Sequence, residues 1–153
     1  MIESPIFVSG MRTFRTEAYL TDPVSRYLRR RRFRAQFPQA PFYEYRIDIF
    51  GFSQFDDACI AVELKLVRWQ RALEQALIYQ LCADYAYVAM PKAALVRVPL
   101  DRFEEHGVGL ISVSGVGCNT IIPACPSPVV QDFYRTNLIH LLQEQSCRTL
   151  ARS

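Results

Sequence analysis

At 153 residues the chain has the length of one compact domain, and a single domain over 1–153 is expected. Half of its residues are apolar, 12% are aromatic and 22% are charged, a balance that excludes a disordered chain and supplies enough side chain for a core. The formal charge of +3 is small, so electrostatic preference for a partner has to come from where the charges lie rather than from their sum.

The first helical signal runs from about Thr13 to Phe33, with Asp22 placed as an N-cap and Pro23 at the first helical position of a second part. The segment reads as one kinked helix or as two. It is locally basic, because Arg12, Arg15, Arg26, Arg29, Arg30, Arg31, Arg32 and Arg34 meet only Glu17 and Asp22. Alone, such a cluster is a solvated helix face; it is also a place for a phosphate backbone to dock, since a guanidinium grips phosphate with two parallel hydrogen bonds.

Phe37 to Pro41 contains two prolines and reads as a connector, and Phe42 to Phe50 then alternates as a strand does. Tyr43, Tyr45, Ile47 and Ile49 are expected on one face, with Glu44, Arg46 and Asp48 on the other. Gly51 to Asp57 supplies a turn, and a second strand from Ala58 to Leu66 completes an antiparallel hairpin. There Ile60, Val62, Leu64 and Leu66 point one way and Cys59, Ala61, Glu63 and Lys65 the other.

From Arg68 to Ala83 the period becomes helical, with Trp69, Ala72, Leu73, Ala76 and Gln80 on one side. Strands are expected over Tyr85 to Met90 and Leu95 to Val98, a short helix over Leu100 to His106, and a strand over Val108 to Val113. Ser112 to Gly117 is a strand end and turn, lacking the spacing of a phosphate loop. Cys118 to Pro128, with three prolines, reads as an irregular bridge. A last helix starts near Val129, and its stripe of Val130, Phe133, Tyr134, Leu138, Leu141 and Leu142 must pack on the domain or on a second copy. The fold class is α/β, a mixed central sheet flanked by helices with a C-terminal amphipathic helix.

Asp48 at the end of one strand and Glu63 on the next form a chemical unit, because adjacent strands lie about 4.8 Å apart and both carboxylates can reach one cation. Magnesium takes such hard oxygen ligands, and the carbonyl of Leu64 is a candidate third. Such an ion stabilises charge on a scissile phosphate and acidifies an attacking water. Lys65, on the face of Glu63, is placed to orient that water or to neutralise charge at phosphorus. The eighteen basic residues include only two lysines, Lys65 and Lys92, so lysine here is a departure from the chain's habit. Taken alone, Glu-x-Lys is as well read as a solvated strand face with a cross-strand ion pair.

The conjunction resembles the PD-(D/E)xK nuclease superfamily, the restriction-endonuclease-like fold that also includes Holliday-junction resolvases. Its pieces are Thr16-Glu17 with Leu20, Pro23-Val24 and Tyr27-Leu28, then Ile47-Asp48, Val62-Glu63-Leu64-Lys65, Ala72-Leu73-Glu74-Gln75-Ala76, and Ala83-Asp84 before Tyr87-Val88-Ala89. They span about 14–113, leaving 118–153 as a C-terminal extension. The resemblance implies that Asp48 and Glu63 hold magnesium, with manganese as a substitute. It further implies that Glu17 joins them from the first helix, that Lys65 is the catalytic lysine, and that Gln75 faces the site. The proline of the motif is absent, since Ile47 precedes Asp48.

The expected function is therefore a metal-dependent nuclease acting on DNA, with Arg26, Arg29, Arg30, Arg31, Arg32 and Arg34 as the docking surface. Two other readings stay open: a nuclease-like module that binds nucleic acid or a protein partner without cutting, and an interaction protein whose carboxylates pair with Arg46 or Arg68. A homodimer or a larger nucleic-acid-processing complex is compatible with each. Five scattered cysteines, without a C-x-x-C pair, argue against a disulfide framework or a thiolate zinc site and read as reduced, mostly buried thiols. With no basic leader and no run of about 18 apolar residues, no membrane partner is expected and the location is expected to be cytoplasmic.

Overall fold

A computed structural model describes residues 7–8, 11–12 and 16–152. Two short strands, β1 (Phe7–Val8) and β2 (Met11–Arg12), pair with each other. The main sheet has six strands in the order of the chain: β3 (Ala35–Phe42), β4 (Tyr45–Ser53), β5 (Ala58–Leu64), β6 (Tyr85–Pro91), β7 (Gly109–Ser114) and β8 (Gly117–Ile122). Pairing is antiparallel except for β5 with β6 and β6 with β7. The sheet is therefore mixed, and its parallel centre requires crossovers through helices.

Helix α1 (Ala18–Arg30) covers one face. Its buried residues Leu20, Val24, Tyr27 and Leu28 follow the i, i+4, i+7, i+8 spacing and meet Ile49, Ile60, Val62, Leu64, Ala89 and Ile111. The other face is covered by α2 (Trp69–Tyr79), α3 (Leu100–His106) and α4 (Asp132–Arg152), packed on Phe50, Cys59, Ala61, Ala86, Val88 and Leu110. Every residue of β5 is buried, as a strand with helices above and below requires. The predicted facing of β5 holds, with Ile60, Val62 and Leu64 toward α1 and Cys59 and Ala61 toward α2.

Several expectations need correction. Asp22 and Pro23 lie inside a single α1 capped at Glu17, so Asp22 caps nothing; the predicted start at Thr13 to Arg15 lies outside the described residues. Phe37 to Pro41 is part of β3. The prolines are tolerated because β3 is the sheet edge, where a missing N–H faces no neighbour. Phe42 ends β3 rather than opening β4, and the hairpin turns at Tyr43, whose φ is 55°.

Ile47 and Ile49 do not share a face: Ile47 packs on the α2 side and Ile49 on the α1 side. The switch falls at Asp48 and at Gln39 opposite it, which takes a φ of 56° and is skipped by the pairing. Leu95 to Val98 is no strand; Lys92–Arg97 is a 310 helix. Cys118 to Ile122, expected to be irregular, is the edge strand β8. Helix α4 starts at Asp132; Leu138 and Leu142 are buried against the domain, while Phe133 is 78% exposed.

Arg135 ties α4 to the sheet. Its Nε donates to Asp84 Oδ2 at 3.0 Å and its Nη2 to the carbonyl of Asp57 at 2.8 Å, while the same Asp84 oxygen accepts the Cys59 amide at 2.7 Å. The cysteines are all free, with Cys59 and Cys82 buried and Cys125 and Cys147 exposed, so fewer are buried than expected. No described helix is long and apolar enough to cross a membrane.

Candidate functional site

Strands β4 and β5 pair from Ser53↔Ala58 as far as Ile49↔Val62 and then part. β5 stays with β6 through Glu63↔Val88 and Leu64↔Ala89, so it is β4 that leaves. The carboxylate of Asp48 occupies the fork. Its Oδ2 accepts the Leu64 amide at 2.8 Å, replacing the ladder bond that parting removed, and its Oδ1 accepts from Gln39 Nε2 at 3.2 Å. Gln39 reaches Asp48 from the skipped position on β3, a contact hidden in sequence by the flanking prolines.

Glu63 projects from β5 on the α2 side and is only 4% exposed. Tyr79, fully buried in the last turn of α2, donates its hydroxyl to Glu63 Oε2 at 2.9 Å. Burial, and then the neighbouring charge of Asp48, push the Glu63 carboxyl up to about 8. Asp48 is also raised, first by burial, against the lowering effect of the Leu64 and Gln39 hydrogen bonds. Two carboxylates held this way lack positive charge, and Lys65 compensates each of them in part. Tyr79 is the residue that follows Gln75 by one turn on the same helix face; the sequence marks it on that buried helix but gives it no role at the site.

Gln75 itself is half-buried, and its Oε1 is buried without a hydrogen-bond partner. Such an atom costs free energy unless something polar meets it. Lys65 Nζ lies 3.8 Å from Glu17 Oε1 at the start of α1. Glu17 thus reaches the site through the lysine. Its charge is felt at Asp48, but among the described residues no three acids, histidines or cysteines converge as an ion-holding group. Leu64 contributes its N–H to Asp48, and the carbonyl of a strand residue leaves on the same side as its N–H, toward the fork.

A cleft of about 330 Å³ adjoins Lys65, lined also by Glu17, Leu66, Val67, Arg68 and Arg71. The expected docking arginines lie elsewhere. Arg26, Arg29, Arg30, Arg31, Arg32 and Arg34 are exposed around the C-terminal end of α1, whereas Glu17 and Lys65 mark its N-terminal end. Thirteen helical residues separate the two ends by about 20 Å. Arg31 bonds the Tyr27 hydroxyl at 3.0 Å, and Arg32 stacks 4.0 Å from the Phe55 ring centre.

No family model matches the sequence, and no curated protein matches it. A solved structure does: a protein of unknown function from Silicibacter pomeroyi, 18% identical, with 84% of each chain covered and a TM-score of 0.64. At that identity the likeness shows the fold alone.

Proposed function

We propose that this protein is a metal-dependent nuclease that hydrolyses phosphodiester bonds, with DNA as substrate. The observation that carries the reading is the fork, where half-buried Asp48 and buried Glu63 meet at the parting of two strands with Lys65 beside them. Hard oxygen donors, paired carboxylates short of positive charge and an orphaned Gln75 oxygen all fit a divalent cation with its water. Asp48, Glu63 and the Leu64 carbonyl would hold magnesium or manganese, with Glu17 as an outer acid. When bound, such an ion supplies charge stabilisation at the scissile phosphate and a more acidic water.

The chain's own groups do the rest. Tyr79 and Gln39 fix the two carboxylates by hydrogen bonds, so the donor set is oriented before anything binds. Lys65 offers an ammonium where negative charge grows on phosphorus, and the Gln75 oxygen can accept a hydrogen bond from a water in the site. The resemblance to restriction-endonuclease-like enzymes likewise implies that Asp48 and Glu63 hold the metal and that Lys65 is the catalytic lysine.

Calorimetry with magnesium and with manganese, beside cleavage of labelled DNA, tests the reading. Binding should be lost in Glu63→Gln and Asp48→Asn. Lys65→Ala should retain binding and cut about 10²–10³-fold more slowly, the usual loss for one charge-stabilising group. Wild-type protein that binds neither ion, or a Lys65→Ala variant with unchanged cleavage, would sink the proposal.

A further inference from the structure

The cleft beside Lys65 holds three cations, Lys65, Arg68 and Arg71, against one acid. That acid, Glu17, is spent on Lys65 at 3.8 Å. Arg68 and Arg71 are exposed, and neither has an ion pair or a hydrogen bond through its guanidinium among the described residues. Some other arginines are engaged, Arg135 by Asp84 and Asp57, Arg32 by Phe55 and Asp56, Arg102 by the Trp69 ring, but only Arg68 and Arg71 stand with Lys65 around this cleft. Arg68 and Arg71 are three residues apart across the start of α2, so they share a face, and the first turn of that helix carries no acid to offset them.

We infer that Arg68 and Arg71 hold an internal phosphate of the DNA strand, next to the phosphate presented to the Asp48–Glu63 fork. This rests on the nuclease reading and names the part of the substrate that the cleft takes. Lys65 joins the two places, since it lines the cleft and its charge acts on both fork carboxylates. Guanidinium groups match the non-bridging oxygens of phosphate, and two of them side by side fix one phosphate in place. The cleft is open: Val67 is 61% exposed, and with Leu66 it offers no side-chain donor for a terminal hydroxyl. A strand can therefore run on past it, which favours an internal phosphate over an end.

The test is fluorescence anisotropy of a labelled DNA duplex in EDTA, so that binding is read without cleavage. Replacing both arginines, Arg68→Ala with Arg71→Ala, should lower the slope of log affinity against log salt by about 0.9, the value of one neutralised phosphate. Arg68→Lys with Arg71→Lys, which keeps the charge, should restore most of that slope. Duplexes with a single neutral methylphosphonate, moved along the strand, should reveal one position where wild-type binding weakens and the double-alanine variant loses nothing more.

With magnesium present, that position should adjoin the cut. Equal salt slopes, or the same methylphosphonate profile in both proteins, would overturn the inference. A preference for 5′-phosphorylated ends that disappears in the double-alanine variant would assign the cleft to a strand end and overturn it too. Wild-type protein that binds DNA through these arginines but never cuts it would remove the nuclease reading and leave the phosphate contact standing.

Discussion

Burial of Glu63 gives the site a measurable signature before any metal is added. In the metal-free protein its carboxyl sits at about 8, above the 4.5 of an ordinary glutamate, because burial and the Asp48 charge outweigh Lys65 and the Tyr79 hydrogen bond. Between those values the folded protein keeps a proton that the unfolded chain has released. The group's contribution to stability is complete below about 4.5 and is lost as pH rises to about 8. Thermal melts in EDTA should fall across that window, and Glu63→Gln should flatten the fall; an unchanged slope in the variant would place the titration elsewhere. Glu63 stood out in sequence through the period-two alternation of β5, Lys65 as one of only two lysines, and Asp48 as the acid on the strand before them. Tyr79 was visible only as a residue of the buried helix, not as the partner of Glu63, and Gln39 not at all, since a glutamine between prolines looks like connector until the fork is seen. Arg68 and Arg71 were overshadowed by the denser arginine run before them.

At the scale of elements, the sequence marked the hairpin of β4 and β5, α2, β6, α3 and β7, where periodicity and glycine punctuation agree with tertiary demand. It failed at the two sheet edges. β3 and β8 carry or adjoin prolines, and an edge strand tolerates these because only one side of it must pair. The role of α4 was legible as an apolar stripe, but its anchor was not, because Arg135 meets Asp84 and Asp57 from distant parts of the chain. That anchor also supports the core: Asp84 accepts the Cys59 amide at the start of β5, so the strand bearing Glu63 is tied to α4 through one carboxylate. Arg135→Ala leaves that half-buried carboxylate without its cation. The loss should be about 1.5–3 kcal/mol, the range for hydrogen bonds to charged groups. Urea unfolding measures it, and a variant as stable as wild type would show that α4 is held by its apolar contacts, Leu138 and Leu142 foremost, and not by this anchor.

At the scale of the molecule, half of the eighteen basic residues cluster in two places that a net of +3 conceals. Lys65, Arg68 and Arg71 stand at one end of α1, and Arg26 to Arg34 surround the other, about 20 Å away along thirteen residues. Duplex DNA rises about 3.4 Å per base pair, so about 6 base pairs span the two patches. A duplex shorter than this can engage the carboxylate end or the far arginines but not both. Affinity should therefore climb steeply once the duplex exceeds that length, because the second contact becomes intramolecular. Replacing Arg29 and Arg30 with alanine should abolish the climb while leaving short-duplex affinity near the wild-type value. Anisotropy over a series of duplex lengths reads both quantities at fixed salt. If the double variant followed the wild-type length dependence, the far arginines would be a solvated helix end, and docking would belong to the cleft at Arg68 and Arg71 alone.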